Sequence, residues 1–355
     1  MNQDQDRRRY AAVSGGFVAT VLLVVLVLSL IVGAGEGIQY TLDSLAYGSL
    51  FAVMALGLAL LFNVMGLMNF AYGELIMAGA YVMFFTRSWG WLGMILMTVL
   101  VVTILSLLME LIAFRPVRDA SPVVLLVTSF AVSYGIQQLA WTDVFGLAHR
   151  FDSTIGTGPQ KGVEPYPWLT NQFDVGGVLI SRLEIATFVV TGVLLVGLTL
   201  LLKKTTLGIQ LRASSEDFRM AQLTGVRANW VISAAFGITG VLAAAVSVLY
   251  VLRSGAVAPD IGQGPLFVAF VGGVIGGLGS LGGAALGGFV LGAIINALSA
   301  TLPITLKSHT QLFAFLVVIA ILVLIPNGLV SIRGDAVKRL WRRVRRSPEP
   351  VEGAA

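Results

Sequence analysis

Successive apolar runs of about 20 residues dominate this chain and limit the folds open to it. The first covers residues 11–34, and further runs lie at 42–62, 69–86, 91–114, 122–141, 185–202, 230–252, 265–281, 282–300 and 310–330. Runs of this length match the hydrocarbon core of a bilayer, which only helices and closed barrels cross with every backbone polar group satisfied. Because 57% of the 355 residues are apolar and 12% are charged, and the mean hydropathy is +0.89, the sequence predicts an all-α, multi-pass membrane protein with about ten transmembrane helices.

The run at residues 11–34 follows three arginines at positions 7 to 9. A secretory signal has an apolar region of about 7 to 15 residues and a cleavage site made of small residues. This run is longer and lacks a clean site of that kind. We therefore interpret it as a retained first helix.

The basic residues indicate the orientation of the chain in the membrane. With the N-terminus in the cytoplasm, 17 Lys and Arg residues fall in predicted cytoplasmic segments and six fall outside. This asymmetry satisfies the positive-inside rule, so the net charge of +5 is attributed to the membrane and not to nucleic acid. The predicted divisions are a cytoplasmic N-terminus (1–10), a transmembrane domain (11–330) and a cytoplasmic basic tail (331–355) that touches anionic lipid headgroups. Within the domain, residues 142–184 form an extracytoplasmic loop and residues 203–229 a cytoplasmic loop.

Two interruptions, at residues 63–74 and 272–288, divide the apolar stretches 42–86 and 265–300. Only an even number of crossings leaves both basic termini in the cytoplasm, so we interpret each stretch as a Gly-interrupted hairpin. Paired broken helices are typical of internally repeated transporters, whose path lies at the repeat interface. Close helix packing through small residues is the alternative interpretation of the glycines.

An acidic residue, Glu74, lies in the apolar run 69–86. A carboxylate at the centre of a spanning helix costs about 2.5 to 3.5 kcal/mol on insertion scales, so it persists mainly where it faces a polar cavity or a partner. A position near a helix end, within reach of water, is the alternative. The residues that we interpret as lining a translocation path are Asn69, Tyr72, Gly73, Glu74, Gly277, Gly279 and Ser280.

The cytoplasmic loop contains a predicted short helix. Ser214 and Asp217 fit the Ser-x-x-Asp pattern of helix starts, and Gly225 suits a helix end, which predicts a helix from Ser215 to Thr224. Its apolar side chains suit docking into a groove of a partner. A helix that lies on the membrane surface between two spans is the alternative.

Several classes of chemistry are excluded by composition. The chain has no cysteine, and its two histidines have no partner at metal-ligand spacing, so no metal site is predicted. The sequence has no phosphate-binding G-x-x-x-x-G-K-[ST] loop and no Ser/His/Asp arrangement in one compartment, and its G-x-G-x-x-G at 277–282 lacks the strand and the acid that a dinucleotide site needs. The sequence thus predicts a transport protein, not an enzyme, with no catalytic residue and no cofactor.

The chain also resembles a known family over most of its length. The segments that carry the resemblance are Gly66-Leu-Met-Asn-Phe-Ala-Tyr-Gly-Glu74, Arg115-Pro-Val-Arg118, Leu207 to Gly225, Gly276 to Gly288 and Pro326-Asn-Gly-Leu329. In order and spacing they are similar to the permease subunit of branched-chain amino acid ABC importers, the first of that system's two related permeases. Tyr72 stands where the family usually has His, and the run at 11–34 is extra relative to shorter members.

This resemblance implies an importer of branched-chain amino acids in the bacterial inner membrane. It implies a second permease subunit, two ATPase subunits and an extracytoplasmic substrate-binding protein as partners. The loop from Arg212 to Gly225 would act as the coupling helix on the ATPase, through Arg212, Ala213, Glu216, Phe218, Ala221, Leu223 and Gly225. Related permeases for urea or short amides are the alternative. An ion-coupled secondary transporter is the main rival from another class, since it too uses broken helices and a buried acid, and a membrane enzyme is the third possibility.

Overall fold

The computed structural model of the chain is mostly helical. It describes residues 34–303 except 67, 119, 143–160, 163–168, 170, 176–177, 217 and 224, together with scattered positions between 305 and 319. The predicted first helix at residues 11–34 and the basic tail lie outside the described residues but for Ala34, and the run at 310–330 lies largely outside them.

The long helices follow the apolar runs of the sequence. The helices are α1 (Ala34–Met65), α2 (Tyr72–Phe85), α3 (Gly90–Met109), α4 (Pro122–Thr142), α5 (Arg182–Lys204), α6 (Thr206–Glu216), α7 (Phe218–Leu223), α8 (Ala228–Ser254), α9 (Gln263–Gly276) and α10 (Leu281–Thr301). A 3₁₀ turn at Arg87–Trp89 precedes α3, and α3 continues through a π-helical turn at Glu110–Phe114 and a 3₁₀ turn at Arg115–Val117.

The described residues include four short strands. They are β1 (Lys161–Gly162), β2 (Gln172–Val175), β3 (Val178–Ser181) and β4 (Ala256–Val257). β1 pairs with β4 and β2 with β3, both antiparallel, with Lys161 opposite Val257 and Gln172 opposite Ser181. The chain then enters α5 through a capping box, in which Ser181 Oγ accepts a hydrogen bond from the Glu184 amide and the Glu184 carboxylate accepts one from the Ser181 amide, both at 3.1 Å. This reciprocal pairing satisfies two amides that a helix start leaves unpaired.

Six helices in the described part of the chain are long and apolar enough to cross a membrane: α1, α3 with its flanking turns, α4, α5, α8 and α10. Two shorter apolar helices, α2 and α9, have 14 residues each. The prediction of a helical, multi-pass membrane protein is therefore confirmed. The total of ten crossings and the two hairpins remain predictions.

Helix α1 forms the centre of the fold. In the apolar central stretch of α1, 83% of the residues are buried, against 17% in α4 and 22% in α5. Helix α1 is therefore surrounded by protein, while α4 and α5 present apolar side chains outward. Glycines allow α10 to lie directly on α1: a Cβ built on Gly288 would come within 2.6 Å of the Phe51 carbonyl oxygen. Here the glycines permit close helix packing, as the alternative interpretation proposed.

Close packing through glycines also joins α9 to α10. A Cβ on Gly276 would lie 1.9 Å from the Gly283 carbonyl oxygen. Between the two helices, Gly277 adopts a φ of +92°, a conformation in which side chains other than glycine are strained. The glycine-rich stretch therefore serves both the packing of the two helices and the break between them.

Candidate functional site

The two short helices α2 and α9 meet at their first turns. A Cβ built on Gly262 would lie only 1.9 Å from the Gly73 carbonyl oxygen, so the two backbones touch. Each helix follows a non-helical segment, at residues 68–71 before α2 and at residues 258–262 before α9. We call this region, residues 68–74 and 258–264, the helix junction.

Asn69 and Tyr72 are buried in the helix junction. Asn69 Oδ1 accepts a hydrogen bond from the Ala71 amide at 3.1 Å and thereby shapes the start of α2. Tyr72 is 0% exposed, and its hydroxyl lies against α1, where a Cβ on Gly57 would come within 2.7 Å of it. The described contacts provide no hydrogen-bond partner for Asn69 Nδ2 or for the Tyr72 hydroxyl. Buried polar atoms of this kind cost about 1 to 3 kcal/mol each when they stay unpaired.

Glu74 lies in the first turn of α2, but its side chain is only 1% exposed. The alternative in which it reaches water at a helix end is therefore wrong for this structure. Its Oε1 accepts a hydrogen bond from Ser133 Oγ of α4 at 2.8 Å, and its Oε2 has no partner among the described residues. The exposed carboxylate of Asp260, in the segment before α9, interacts electrostatically with Glu74.

Helix α4 covers the helix junction. Besides Ser133, it contributes Gln137, whose amide donates to the Pro259 carbonyl at 3.3 Å. Ser129 donates to the Leu126 carbonyl of its own helix at 2.8 Å, and its hydroxyl oxygen lies 3.4 Å from the Met68 carbonyl oxygen. These contacts reach the non-helical segments on both sides of the junction. Helix α4 thus forms one wall of the region in which Glu74 is buried.

An aromatic cluster borders the same region. Phe70 stacks on Phe130 of α4, with ring centroids 4.4 Å apart and an interplanar angle of 16°. Phe267 and Phe270 of α9 lie beside Phe70 at 6.3 and 5.4 Å between centroids. Phe267 is 43% exposed. The cluster therefore presents aromatic surface at the edge of the helix junction.

A cavity of about 560 Å³ lies between the end of α1, the residues before α4, α6, α8 and the turn between α9 and α10. We call it the α6 cavity. Its polar lining includes Asn63, Arg118 and Ser214, and Gly279 lines it from the turn. Asn63 Nδ2 donates to the Leu278 carbonyl at 2.8 Å, which holds the turn against α1. A smaller cavity of about 190 Å³ shares Asn63 and Gly279 and is also lined by Arg212.

The predicted path residues thus lie in two places. Asn69, Tyr72, Gly73 and Glu74 belong to the helix junction, and none of them lines the α6 cavity. Gly279 lines the α6 cavity, while Gly277 and Ser280 form the turn beside it. Ser280 also caps α10, because its Oγ accepts a hydrogen bond from the Gly283 amide at 3.2 Å.

The predicted start of the cytoplasmic helix is wrong. Helix α6 already begins at Thr206, and Ser214 is a buried residue in its last turn, not a cap. The start is determined instead by Thr205, whose Oγ1 accepts a hydrogen bond from the Gly208 amide at 3.1 Å. Gly208 fits close under the end of α5, where a Cβ would lie 2.3 Å from the Leu202 carbonyl oxygen. The segment predicted as one helix is therefore the end of α6 followed by the short α7.

The predicted end of this segment at Gly225 is confirmed. Gly225 has a φ of +94°. Its amide donates to the Gln222 carbonyl at 3.0 Å and the Val226 amide donates to the Ala221 carbonyl at 3.1 Å, which is the hydrogen-bond pattern of a Schellman motif. This pattern depends on a left-handed residue, and glycine adopts that conformation without strain.

The residues predicted to couple to an ATPase differ in exposure. Arg212 is exposed and Ala213 half-buried, while Ala221 is buried and Leu223 is 82% exposed. The side chains of Glu216 and Phe218 lie outside the described residues. Among the described members of the set, Leu223 is thus the apolar side chain that points to solvent.

Residues at the junction that the sequence interpretation missed are Ser129, Ser133, Gln137 and Asp260. The first three recur every four residues on α4, so they form a polar stripe on one face of an otherwise apolar helix. That stripe was a usable signal. No signal in the sequence indicated Asp260, because this residue becomes part of the site only through the contact between Gly73 and Gly262.

Comparison with known proteins identifies the family to which the chain belongs. The sequence profile of a family described as "Branched-chain amino acid transport system / permease component" matches residues 40–325. The chain belongs to this family. It is therefore a membrane-spanning permease component of a transport system, which works with other subunits, and it is not an enzyme.

The alignments with individual relatives extend over nearly the whole length of those relatives. The high-affinity branched-chain amino acid transport system permease protein BraD of Pseudomonas aeruginosa is 29% identical over 305 residues, which cover 83% of this chain and 95% of BraD. LivH of Escherichia coli, of the same description, is 27% identical over 309 residues, with 83% and 95% covered. A probable branched-chain amino acid transport permease protein LivH of Methanocaldococcus jannaschii is 28% identical over 312 residues, with 84% and 93% covered.

Proposed function

We propose that the permease imports branched-chain amino acids across the cytoplasmic membrane of a bacterium. In this proposal it works with a second permease subunit, two ATPase subunits and an extracytoplasmic substrate-binding protein. Family membership supports the transporter class, and the relatives' descriptions support the substrate class. The observation that carries the proposal is the buried Glu74 beside an aromatic cluster at the helix junction.

The helix junction offers the two chemistries that an aliphatic amino acid presents. Its ammonium group pairs with carboxyl groups, and the helix junction holds two of them, those of Glu74 and Asp260. Its branched side chain requires an apolar surface, which the rings of Phe70, Phe130 and Phe267 supply. A cation next to aromatic faces gains a further attraction from the ring quadrupoles.

Passage through the junction requires α4 to move, because Glu74 is buried beneath it. The contacts that hold α4 there include hydrogen bonds of two neutral donors, Ser133 and Gln137. Each contributes about 0.5 to 1.5 kcal/mol, or somewhat more for the one to the carboxylate. Such bonds are strong enough to close the junction and weak enough to be broken in each transport cycle.

The segment from α6 to Gly225 is proposed to couple ATP hydrolysis to this movement. Leu223 offers an apolar contact to a groove on the ATPase. The Schellman motif at Gly225 then directs the chain into α8, which packs against α1, α3 and α2. Coupling residues proposed with it are Arg212, Ala213, Glu216, Phe218 and Ala221.

The proposed topology has ten crossings with both termini in the cytoplasm. It counts α2 and α9, with the non-helical segments before them, as one crossing each and adds the runs at 11–34 and 310–330. The divisions at 1–10 and 331–355, the extracytoplasmic loop 142–184 and the cytoplasmic loop 203–229 belong to the same proposal. Charge asymmetry supports it, and α2 and α9 lie where the short crossings are required.

A permease for urea or short amides is the second candidate, because Tyr72 departs from the His that is usual in the family. The aromatic cluster favours the amino acids, since urea has no apolar part to place against Phe70 and Phe130. The structure also places the Tyr72 hydroxyl against Gly57 of α1. That position removes the hydroxyl from the surface where substrates would be discriminated.

The test compares uptake of labelled leucine, isoleucine, valine and urea by the complete transporter and by a Glu74→Gln variant. We expect uptake of the three amino acids to fall at least about tenfold, because a charge-assisted contact contributes roughly 1.5 to 3 kcal/mol. Glu110→Gln is the matched control: Glu110 is also buried and accepts a hydrogen bond from Ser233 at 2.8 Å, but it lies outside the helix junction.

Each result of this comparison has a distinct meaning. Unchanged uptake in Glu74→Gln would remove Glu74 from the path. Equal losses in Glu74→Gln and Glu110→Gln would reduce the effect to a general requirement for buried carboxylates. Saturable uptake of urea without any of the amino acids would overturn the substrate class while leaving the transporter class intact.

A further inference from the structure

Two carboxyl groups meet where the start of α5 packs against α1. Asp43 lies in α1, and Glu184 belongs to the capping box that begins α5. The two side chains lie within hydrogen-bonding reach of each other. Two carboxylates repel each other at such a separation, whereas a protonated carboxyl group donates a hydrogen bond to a carboxylate. A stable contact between them therefore requires one proton that both groups share. We call Asp43 and Glu184 the carboxyl pair.

A cation and two tyrosines adjoin the carboxyl pair. The described groups concerned are Arg253, Tyr47 and, beside Tyr47, Tyr250. Arg253 lies in the last turn of α8, and its Nη2 is 4.0 Å from Asp43 Oδ1. Its guanidinium also lies over the ring of Tyr47, 5.1 Å from the centroid. One cation balances one negative charge, so a carboxyl pair that holds a single proton is neutral together with Arg253.

The position of this cluster connects it to the helix junction. Helix α8 ends at Ser254, and the chain then runs through β4 into the segment 258–262 before α9, which contains Asp260. The ion pair with Asp43 therefore fastens the beginning of that connection to α1. Most residues in the apolar stretch of α5 are not buried, so α5 can tilt away from α1 when the contact at its first turn is lost.

We propose that the proton shared by the carboxyl pair holds the start of α5 against α1 and closes the extracytoplasmic end of the permease, and that loss of this proton at alkaline external pH releases α5. Without the proton both groups are negative, and Arg253 balances only one of them. The side chains of Asp43 and Arg253 are 28% and 24% exposed, so protons from the solvent reach the pair.

The parts of this proposal rest on different foundations. The extracytoplasmic location depends on the proposed topology, and the effect on import depends on the proposed function. The pH-dependent contact between α1 and α5 depends on neither. The two experiments below therefore measure the contact and the import separately.

The first experiment measures a distance between α1 and α5. It uses the permease with its partner permease and ATPase subunits in lipid nanodiscs, with spin labels on cysteines introduced at Gln39 and Val189. The chain has no cysteine of its own, and the two single-cysteine variants measure the background from the other subunits. We expect one short distance at about pH 6 and a second, longer distance whose population grows at least about tenfold by about pH 9, as the loss of a charge-assisted hydrogen bond predicts.

Two amide variants identify the proton. Glu184→Gln and Asp43→Asn each replace one carboxyl group by an amide, which donates a hydrogen bond to the remaining carboxylate without a titratable proton. Both variants should keep the short distance throughout the pH range. In Glu184→Gln the amide oxygen can still accept the hydrogen bond of the capping box, so this variant stays informative if Asp43→Asn is unstable.

Two further variants test the assignment. Arg253→Gln removes the cation that favours a second negative charge, so the longer distance should appear only at higher pH than in the unaltered complex. Glu110→Gln is the matched control, because Glu110 is a buried carboxyl group outside this cluster, and it should leave the transition unchanged. A distance that does not respond to pH would overturn the proposal. A transition that persists in both amide variants, or a long distance at every pH in both, would overturn the role of the shared proton.

The second experiment measures initial import of labelled leucine into proteoliposomes that contain ATP at constant internal pH, with the binding protein outside. We expect the rate of the unaltered transporter to rise at least about threefold more between external pH of about 6 and 9 than the rate of Glu184→Gln, the effect of one modest hydrogen bond. Each rate is divided by the rate of the same variant at the lower pH, so a general loss of activity does not count. Any pH dependence of the binding protein is common to both transporters.

The outcomes separate this inference from the proposed function. A pH-dependent distance with equal pH profiles of import in the unaltered transporter and Glu184→Gln would overturn the closing role and retain the shared proton. A pH-dependent distance in a complex that imports none of the amino acids would overturn the proposed function and retain the shared proton.

Discussion

Replacing Gly262 by alanine tests whether the contact between α2 and α9 holds the transport site together. The new methyl group would lie 1.9 Å from the Gly73 carbonyl oxygen. This oxygen belongs to the backbone, so it cannot rotate away as the end of a side chain could. To reach a tolerable 3.0 Å, α2 and α9 must separate by about 1.1 Å at their first turns. Overpacking of this kind costs about 1 to 3 kcal/mol, and a shift of about 1 Å near a site lowers its rate about a hundredfold.

The chain itself supplies a graded series for this experiment. A Cβ on Gly73 would lie 3.0 Å from the Gly262 carbonyl oxygen, and a Cβ on Gly264 would meet nothing within 4 Å. Leucine uptake and thermal stability of the purified complex should therefore decline in the order Gly264→Ala, Gly73→Ala, Gly262→Ala, with Gly264→Ala close to the unaltered protein. Normal uptake and stability in Gly262→Ala would refute the role of the junction. An equal loss in Gly264→Ala, where alanine favours the helix and meets no neighbour, would show that the close contact with Gly73 is not the cause.

Three further predictions concern other parts of the fold. Gly225→Val places a β-branched side chain at a φ of +94°, which costs at least about 1 to 2 kcal/mol. The variant should lose uptake and substrate-stimulated ATP hydrolysis while membrane insertion stays normal. Normal uptake and hydrolysis would contradict the coupling role of the segment that ends at Gly225. Ser133→Ala leaves both oxygens of the buried Glu74 carboxylate without a partner among the described residues. Uptake should therefore fall and the complex should lose about 1 to 3 kcal/mol of stability. Ser133→Thr keeps a hydroxyl and should restore both, and an alanine variant that equals the unaltered protein would contradict the contact. Cysteines at Gly162 and Ser347 should react with impermeant reagents from opposite sides of the membrane, and reaction from one side alone would contradict the topology.

The sequence predicted features that depend on local chemistry. Gly225 was found as a helix end because the left-handed conformation restricts the choice of residue at that position. Glu74 was found because a carboxylate in an apolar run is costly wherever it lies. Both inferences need only the residue and its immediate neighbours.

Features that depend on tertiary contacts were missed or misplaced. Ser214 fits a helix-start pattern, but α6 starts one residue after the end of α5. Thr205 caps the helix there and Gly208 fits beneath Leu202. Ser133 and Asp260 reach Glu74 only because α4 and the segment before α9 fold over α2. The predicted path residues are divided between the helix junction and the α6 cavity for the same reason. The spacing of the sequence does not show which interruptions of the helices lie next to each other in the fold.

The contact between Tyr72 and Gly57 makes these two positions depend on each other. A methyl group at position 57 would come within 2.7 Å of the Tyr72 hydroxyl, so the tyrosine ring would have to shift to accept it. A smaller ring at position 72 would not have to shift. Substitutions at the two positions are therefore coupled, and the cost of a side chain at 57 depends on which ring occupies 72.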